Sequence, residues 1–166
     1  VGGDWYDAFE LPSGKVGIVI GDVIGRGLQA AVVMGRLRSV LRAYALIGKD
    51  PASTLDLVDE KFAHFEPGQM ATIGFAVVDR DLEHVVIATA GHPPPLLVEP
   101  GDEAQFVAMP AGPPIGAGLD VARQSVEFAL RPGATLMLYT DGLFERRRQP
   151  FTESLERLRR TLHEGP

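Results

Sequence analysis

The chain has 166 residues, 45% hydrophobic and 23% charged, which suits one ordinary globular domain and argues against overall disorder. A formal net charge of -6 weighs against binding duplex nucleic acid or an anionic membrane, since both interactions draw on Lys and Arg. The absence of cysteine excludes disulfides, thiolate zinc sites and cysteine nucleophiles, leaving oxygen and imidazole ligands for any metal.

Taken in chain order, Trp5 to Leu11 alternates and ends on a Pro12-Ser13-Gly14 turn, and the β-branched run Lys15 to Gly21 then completes a strand hairpin. From Gly27 to Leu46 the period becomes helical. Leu28, Ala31, Val32, Leu37, Val40, Leu41 and Tyr44 share one side, opposite Arg36, Arg38 and Arg42. Asp50-Pro51 has the N-cap and first-turn chemistry of a second helix running to about Phe65, paired antiparallel with the first. Six short strands follow: Ala71 to Val78, His84 to Ala90, Pro95 to Val98, Gln105 to Met109, Gln124 to Leu130 and Ala134 to Thr140. A last amphipathic helix spans Thr152 to His163, with Leu155, Leu158 and Leu162 in phase. Runs of strands joined by short turns, with the helices in blocks, indicate an antiparallel α+β protein of two packed sheets with helices outside.

No apolar run reaches the roughly 20 residues of a membrane-spanning helix, and no targeting segment opens the chain, so a cytoplasmic address is expected. The sequence opens at Val1 directly on a dense motif. Residues 1–166 therefore read as a single domain truncated at both ends, a piece of a longer protein. Trp5 and Tyr6 are expected to be core anchors at a strand edge, and Arg146-Arg147-Arg148 a solvated loop.

The chemistry is carried by acidic residues. Asp4 in GGDWYD, Asp22 in IGDVIGRG and Asp141 in LYTDG each border a glycine or an apolar strand. Carboxylates at strand ends can project into a cleft, and neighbouring glycines let backbone carbonyls approach an ion, the oxygen-only environment that hard divalent cations take. Taken singly, each aspartate also fits an ordinary turn or helix cap.

Four blocks in order, GGDWYD at Gly2 to Asp7, GDVIGRGLQAA at Gly21 to Ala31, AGHPPPLL at Ala90 to Leu97 and LYTDGLFE at Leu138 to Glu145, resemble the SpoIIE-like serine/threonine phosphatases of the protein phosphatase 2C superfamily. That resemblance implies a β-sandwich of two mainly antiparallel sheets flanked by helices. It also implies two manganese or magnesium ions bridged by Asp22, with the Val23 backbone carbonyl, Asp4 and Asp141 as further ligands. The implied reaction is hydrolysis of phosphoserine or phosphothreonine by a metal-activated water, with no phosphoenzyme. The implied substrate is a phosphorylated anti-anti-sigma factor of the STAS fold in bacterial sigma-factor regulation, and attached sensory or regulatory domains are expected. The resemblance assigns no metal role to His92.

The pattern departs from the family at two points. Relatives carry one further metal-binding aspartate on a final strand, whereas no Asp-Asp-x-Thr-like block follows Asp141, so the closing strand and fourth ligand are expected to be missing and the site poorly occupied. Arg26 stands where many relatives have histidine; the ordinary reading is an exposed turn residue, with a phosphate ligand as the alternative.

Two rival readings remain to be weighed. Gly25-Arg26-Gly27-Leu28-Gln29-Ala30 formally satisfies a dinucleotide-binding fingerprint, yet Asp22 would aim negative charge at the pyrophosphate and the helix is followed by another helix instead of a strand. The other is a phosphatase-like signalling module that binds a phosphoprotein with weak or no turnover. Retention of all three aspartates argues against it.

Overall fold

The computed structural model describes residues 3–143 and 151–164. A hairpin of β1 (Asp4–Glu10) and β2 (Val16–Val23) leads into helices α1 (Leu28–Ala45) and α2 (Pro51–Phe65). Strands β3 (Ala71–Val78), β4 (His84–Ala90), β5 (Leu96–Val98), β6 (Gln105–Phe106), β7 (Val126–Ala129) and β8 (Thr135–Met137) follow. A single 3-10 turn at Asp141–Leu143 and helix α3 (Phe151–Glu164) complete the described chain.

The strands form two antiparallel sheets, ordered β1-β2-β3-β4-β7 and β6-β5-β8. Alternation along β2 decides which side meets which layer. Val19 and Val23 join Trp5, Ile73 and Phe75 beneath α1 and α2, where they pack on Val33, Leu37, Leu41, Leu55, Val58 and Phe62. On the opposite face Ile18, Ala76, Val78, Val85 and Ile87 meet Leu136 and Leu138 between the sheets. Leu155, Leu158 and Leu162 of α3 cover the outer side of the second sheet through Leu96, Ala104 and Tyr139. The layering is therefore helix, sheet, sheet, helix, the α+β sandwich expected from the element order.

Capping of α2 follows the sequence rule, with Asp50 accepting hydrogen bonds from the Ala52 and Ser53 amides at 3.1 and 3.4 Å and Pro51 in the first turn. The inward stripe of α1 is shifted, however. Ala30, Val33, Leu37, Leu41 and Ala45 are buried, while Leu28 is 82% exposed and Val32 is also open to solvent. Apart from Gln29 the first two turns are apolar, so periodicity alone leaves the phase open and packing on β2 selects it.

Two further expectations are corrected. Trp5 is buried, but Tyr6 is 84% exposed, because adjacent residues on a strand point to opposite faces and only the Trp5 side lies under the helices. The second-sheet strands are shorter than Gln105 to Met109 and Ala134 to Thr140. Both pair only with the three residues of β5, whose ladder begins after Pro93-Pro94-Pro95, residues without an N–H to donate. The Arg146-Arg147-Arg148 run lies outside the described residues.

Candidate metal centre

Asp4 opens β1 and Asp22 is the penultimate residue of β2, and the two stand directly opposite each other in the ladder. Both lie on the face of the first sheet away from α1 and α2, since their neighbours Trp5 and Val23 point toward the helices. Asp141 arrives from the other sheet, at the start of the 3-10 turn beyond β8. One carboxylate oxygen from each of the three lies within 4.8 Å of the others. Residues separated by more than a hundred positions are thus brought to one point.

None of these carboxylates has an ion-pair partner among the described residues. Partial burial pushes Asp22 up to about 6, and the charges of Asp4 and Asp141 push in the same direction. Three acids crowded together, with no ion-pair partner among the described residues, repel one another, and a divalent cation is a partner that reverses that repulsion. An all-oxygen donor set of this kind fits Mg2+ or Mn2+.

The backbone is shaped around the same point. The Val23 amide donates to the Gly3 carbonyl at 3.1 Å, joining the GGD block to the end of β2. A Cβ at Gly3 would stand 2.1 Å from the Val23 carbonyl oxygen and 2.7 Å from Asp22 Oδ1, so both oxygens border the space that glycine leaves clear. Val23 is therefore placed with its carbonyl beside the Asp22 carboxylate, although its side chain is buried. Gly142 also lies close to the cluster, since a Cβ there would meet Asp4 Oδ2 at 3.6 Å.

Arg26 is exposed on the loop between β2 and α1, without an ion-pair partner among the described residues. It follows Val23 by three positions in the chain.

His92 is a buried polar residue of the AGHPPP block to which the sequence assigned no role. It is buried beneath the cluster, its Nε2 lying 3.0 Å from the Tyr139 carbonyl and its Nδ1 3.1 Å from Thr72 Oγ1. Burial lowers its pKa to about 4 against the opposing influence of the Tyr139 carbonyl and Asp4, so the ring is neutral. Its GH-plus-proline setting was the available signal, but its partners lie far away in sequence and no spacing rule points to them.

Residues 12–166 match the family model for Stage II sporulation protein E (SpoIIE). The chain is 26% identical over 148 residues to the phosphoserine phosphatase RsbP of Bacillus subtilis, covering 86% of this chain and 36% of that protein. It is 33% identical to a crystal structure of the RsbU and RsbW domains of Rv1364c from Mycobacterium tuberculosis, covering 99% of this chain and 46% of that one, with a TM-score of 0.87. A structure of the PP2C phosphatase domain and a fragment of the regulatory domain of SpoIIE from Bacillus subtilis is 21% identical and shows the same fold, with a TM-score of 0.81 over 97% of this chain and 47% of that one. This chain therefore spans only about a third to a half of the length of these relatives. With the family model covering nearly all of the sequence and the fold matched throughout, the chain belongs to the SpoIIE family and has the architecture of a protein phosphatase 2C domain.

Proposed function

We propose that residues 1–166 form the catalytic domain of a metal-dependent protein serine/threonine phosphatase. The observation that carries this reading is the convergence of Asp4, Asp22 and Asp141 within 4.8 Å, on strands and a turn from both sheets. Asp22, with the adjacent Val23 carbonyl, would hold a pair of Mn2+ or Mg2+ ions, and Asp4 and Asp141 would complete their protein ligands. When bound, such ions lower the pKa of water and balance charge on a phosphoryl group.

The chain's own part is positional. The β1–β2 ladder holds Asp4 and Asp22 at fixed separation, and the second sheet delivers Asp141 across the sandwich. Because Asp22 titrates near 6, it is ionised and ready to bind a cation at neutral pH. Arg26, exposed on the loop that follows β2, would pair with the substrate phosphate, for which its planar guanidinium is suited. No side-chain nucleophile is required.

For substrate, we infer a phosphorylated STAS-fold anti-anti-sigma factor and a cytoplasmic setting, with sensory or regulatory domains attached to the catalytic one. The similarity to RsbP and to an RsbU–RsbW chain supports that reading, as does the small share of those chains that this domain spans. The test is Mn2+-dependent phosphate release from a phosphoserine-bearing protein. Asp22→Asn is expected to lower kcat by at least about a hundredfold at every Mn2+ concentration, and Arg26→Ala to raise KM with kcat little changed. Turnover that needs no divalent ion, or that survives Asp22→Asn, would contradict the assignment.

A further inference from the structure

The AGHPPP and LYTDG segments grip each other twice. Around His92 the acceptor at Nε2 is the Tyr139 carbonyl, so that nitrogen carries the hydrogen, and Nδ1 accepts from the Thr72 hydroxyl. In return the Tyr139 hydroxyl donates to the Pro94 carbonyl at 2.6 Å. The imidazole packs on bare backbone of β3, where a Cβ at Gly74 would come within 3.2 Å of His92 Cδ2. A parallel bridge between Ile73 and Gly91 fixes the start of this segment against the same strand.

Each end of the connection leads to a carboxylate of the cluster. Thr72 is the ladder partner of Asp22 across β2 and β3. Tyr139 lies just before Thr140 and Asp141, at the point where β8 has ended and the 3-10 turn has not begun. Tyr139 lies outside both elements, and the Nε2–H to carbonyl bond ties its backbone to His92.

We propose that His92 is a positioning residue which, through Thr72 on one side and the Tyr139 carbonyl on the other, sets the separation between Asp22 and Asp141 and hence the affinity of the cluster for divalent cations. This inference rests on the metal reading above and adds to it a role for a residue that touches neither ion nor substrate. A histidine that merely filled the core would have its effect on stability alone.

The experiment is a Mn2+ titration of the intact protein, followed by electron paramagnetic resonance of free Mn2+, alongside thermal melting in EDTA. Three variants are compared with the unsubstituted chain. His92→Gln can place an amide N–H where Nε2–H stands, whereas His92→Asn is too short to reach the Tyr139 carbonyl. Tyr139→Phe removes the hydroxyl bond to Pro94 and leaves the backbone carbonyl in place. Mn2+ affinity is expected to fall roughly tenfold or more in His92→Asn and to stay within about threefold of the original in His92→Gln and Tyr139→Phe, although all three melt at lower temperature. If affinity simply follows melting temperature across the set, or is unchanged in His92→Asn, the positioning role is wrong while the metal site stands. If the unsubstituted protein binds no Mn2+, both readings fall.

Discussion

Asp4 and Asp22 face each other as direct partners in the β1–β2 ladder, two carboxylates at a position where like charges destabilise a sheet. Partial burial is the main cause of the raised pKa of Asp22, and the charges of Asp4 and Asp141 add to it. Its folded pKa, about 6, lies above the ordinary value of 3.8, so the folded state holds this proton more tightly than the unfolded one. Without metal, stability from this group is complete below about pH 4, declines as pH rises toward 6 and stays reduced above it. Asp22→Asn should therefore stabilise the metal-free protein at pH 7.5 by about 1 kcal/mol, after allowance for solvent screening of a half-exposed group, and by nothing at pH 4. Urea melts in EDTA at the two pH values measure the difference, and saturating Mn2+ should reverse the ranking.

The same proton competes with the cation. Mn2+ affinity should be level above about pH 6.5 and fall by roughly tenfold per unit below pH 6, since a protonated Asp22 cannot serve as a ligand. Calorimetric titration between pH 5 and 7.5 would show this. An affinity that is level down to pH 5 would mean that Asp22 is not a ligand.

Gly3 supplies a test of the backbone at the site. A methyl group there would sit 2.1 Å from the Val23 carbonyl oxygen, a distance that real contacts do not tolerate, so the GGD segment or the end of β2 must shift. Gly3→Ala should cost about 1–3 kcal/mol of stability and weaken Mn2+ binding as well, because the displaced atoms include a proposed ligand. Melting in EDTA and metal titration report the two effects separately.

The sandwich was legible because its local signals agree: alternation along β2, the Asp50-Pro51 cap and the leucine spacing of α3 each select one element type. Asp4, Asp22 and Asp141 were legible as candidates from strand-end chemistry and family resemblance, but their meeting point depends on sheet order, which no local pattern encodes. Failures fell where the pattern was degenerate. The largely apolar start of α1 left its inward face undetermined, and treating Trp5 and Tyr6 as a pair ignored the two-residue period of the strand that carries them. His92 stayed silent for another reason, since its role lies in hydrogen bonds to Thr72 and Tyr139 and neither is a sequence neighbour.

Asp7, the second acid of GGDWYD, belongs to a different device. Its carboxylate is buried on the helix side of β1 and accepts from Arg38 at 2.9 and 3.2 Å and from Arg42 at 2.6 and 2.8 Å, tying the strand that carries Asp4 to α1. Burial would raise its pKa, but hydrogen bonds and charge from Arg42 and Arg38 outweigh it and hold the group below the usual carboxylate range. With a depressed folded pKa, its contribution is present above the unfolded value and is lost as pH falls through the folded one. Either arginine alone can keep the carboxylate paired, so Arg38→Ala and Arg42→Ala should each lower the urea midpoint modestly. The double replacement leaves a buried charge without a partner and should cost more than the two single effects added together. Asp7→Ala should cost about 1–3 kcal/mol, and in the triple variant the excess cost of removing both arginines should vanish. Strict additivity in that cycle would mean that α1 is held on β1 by apolar packing alone.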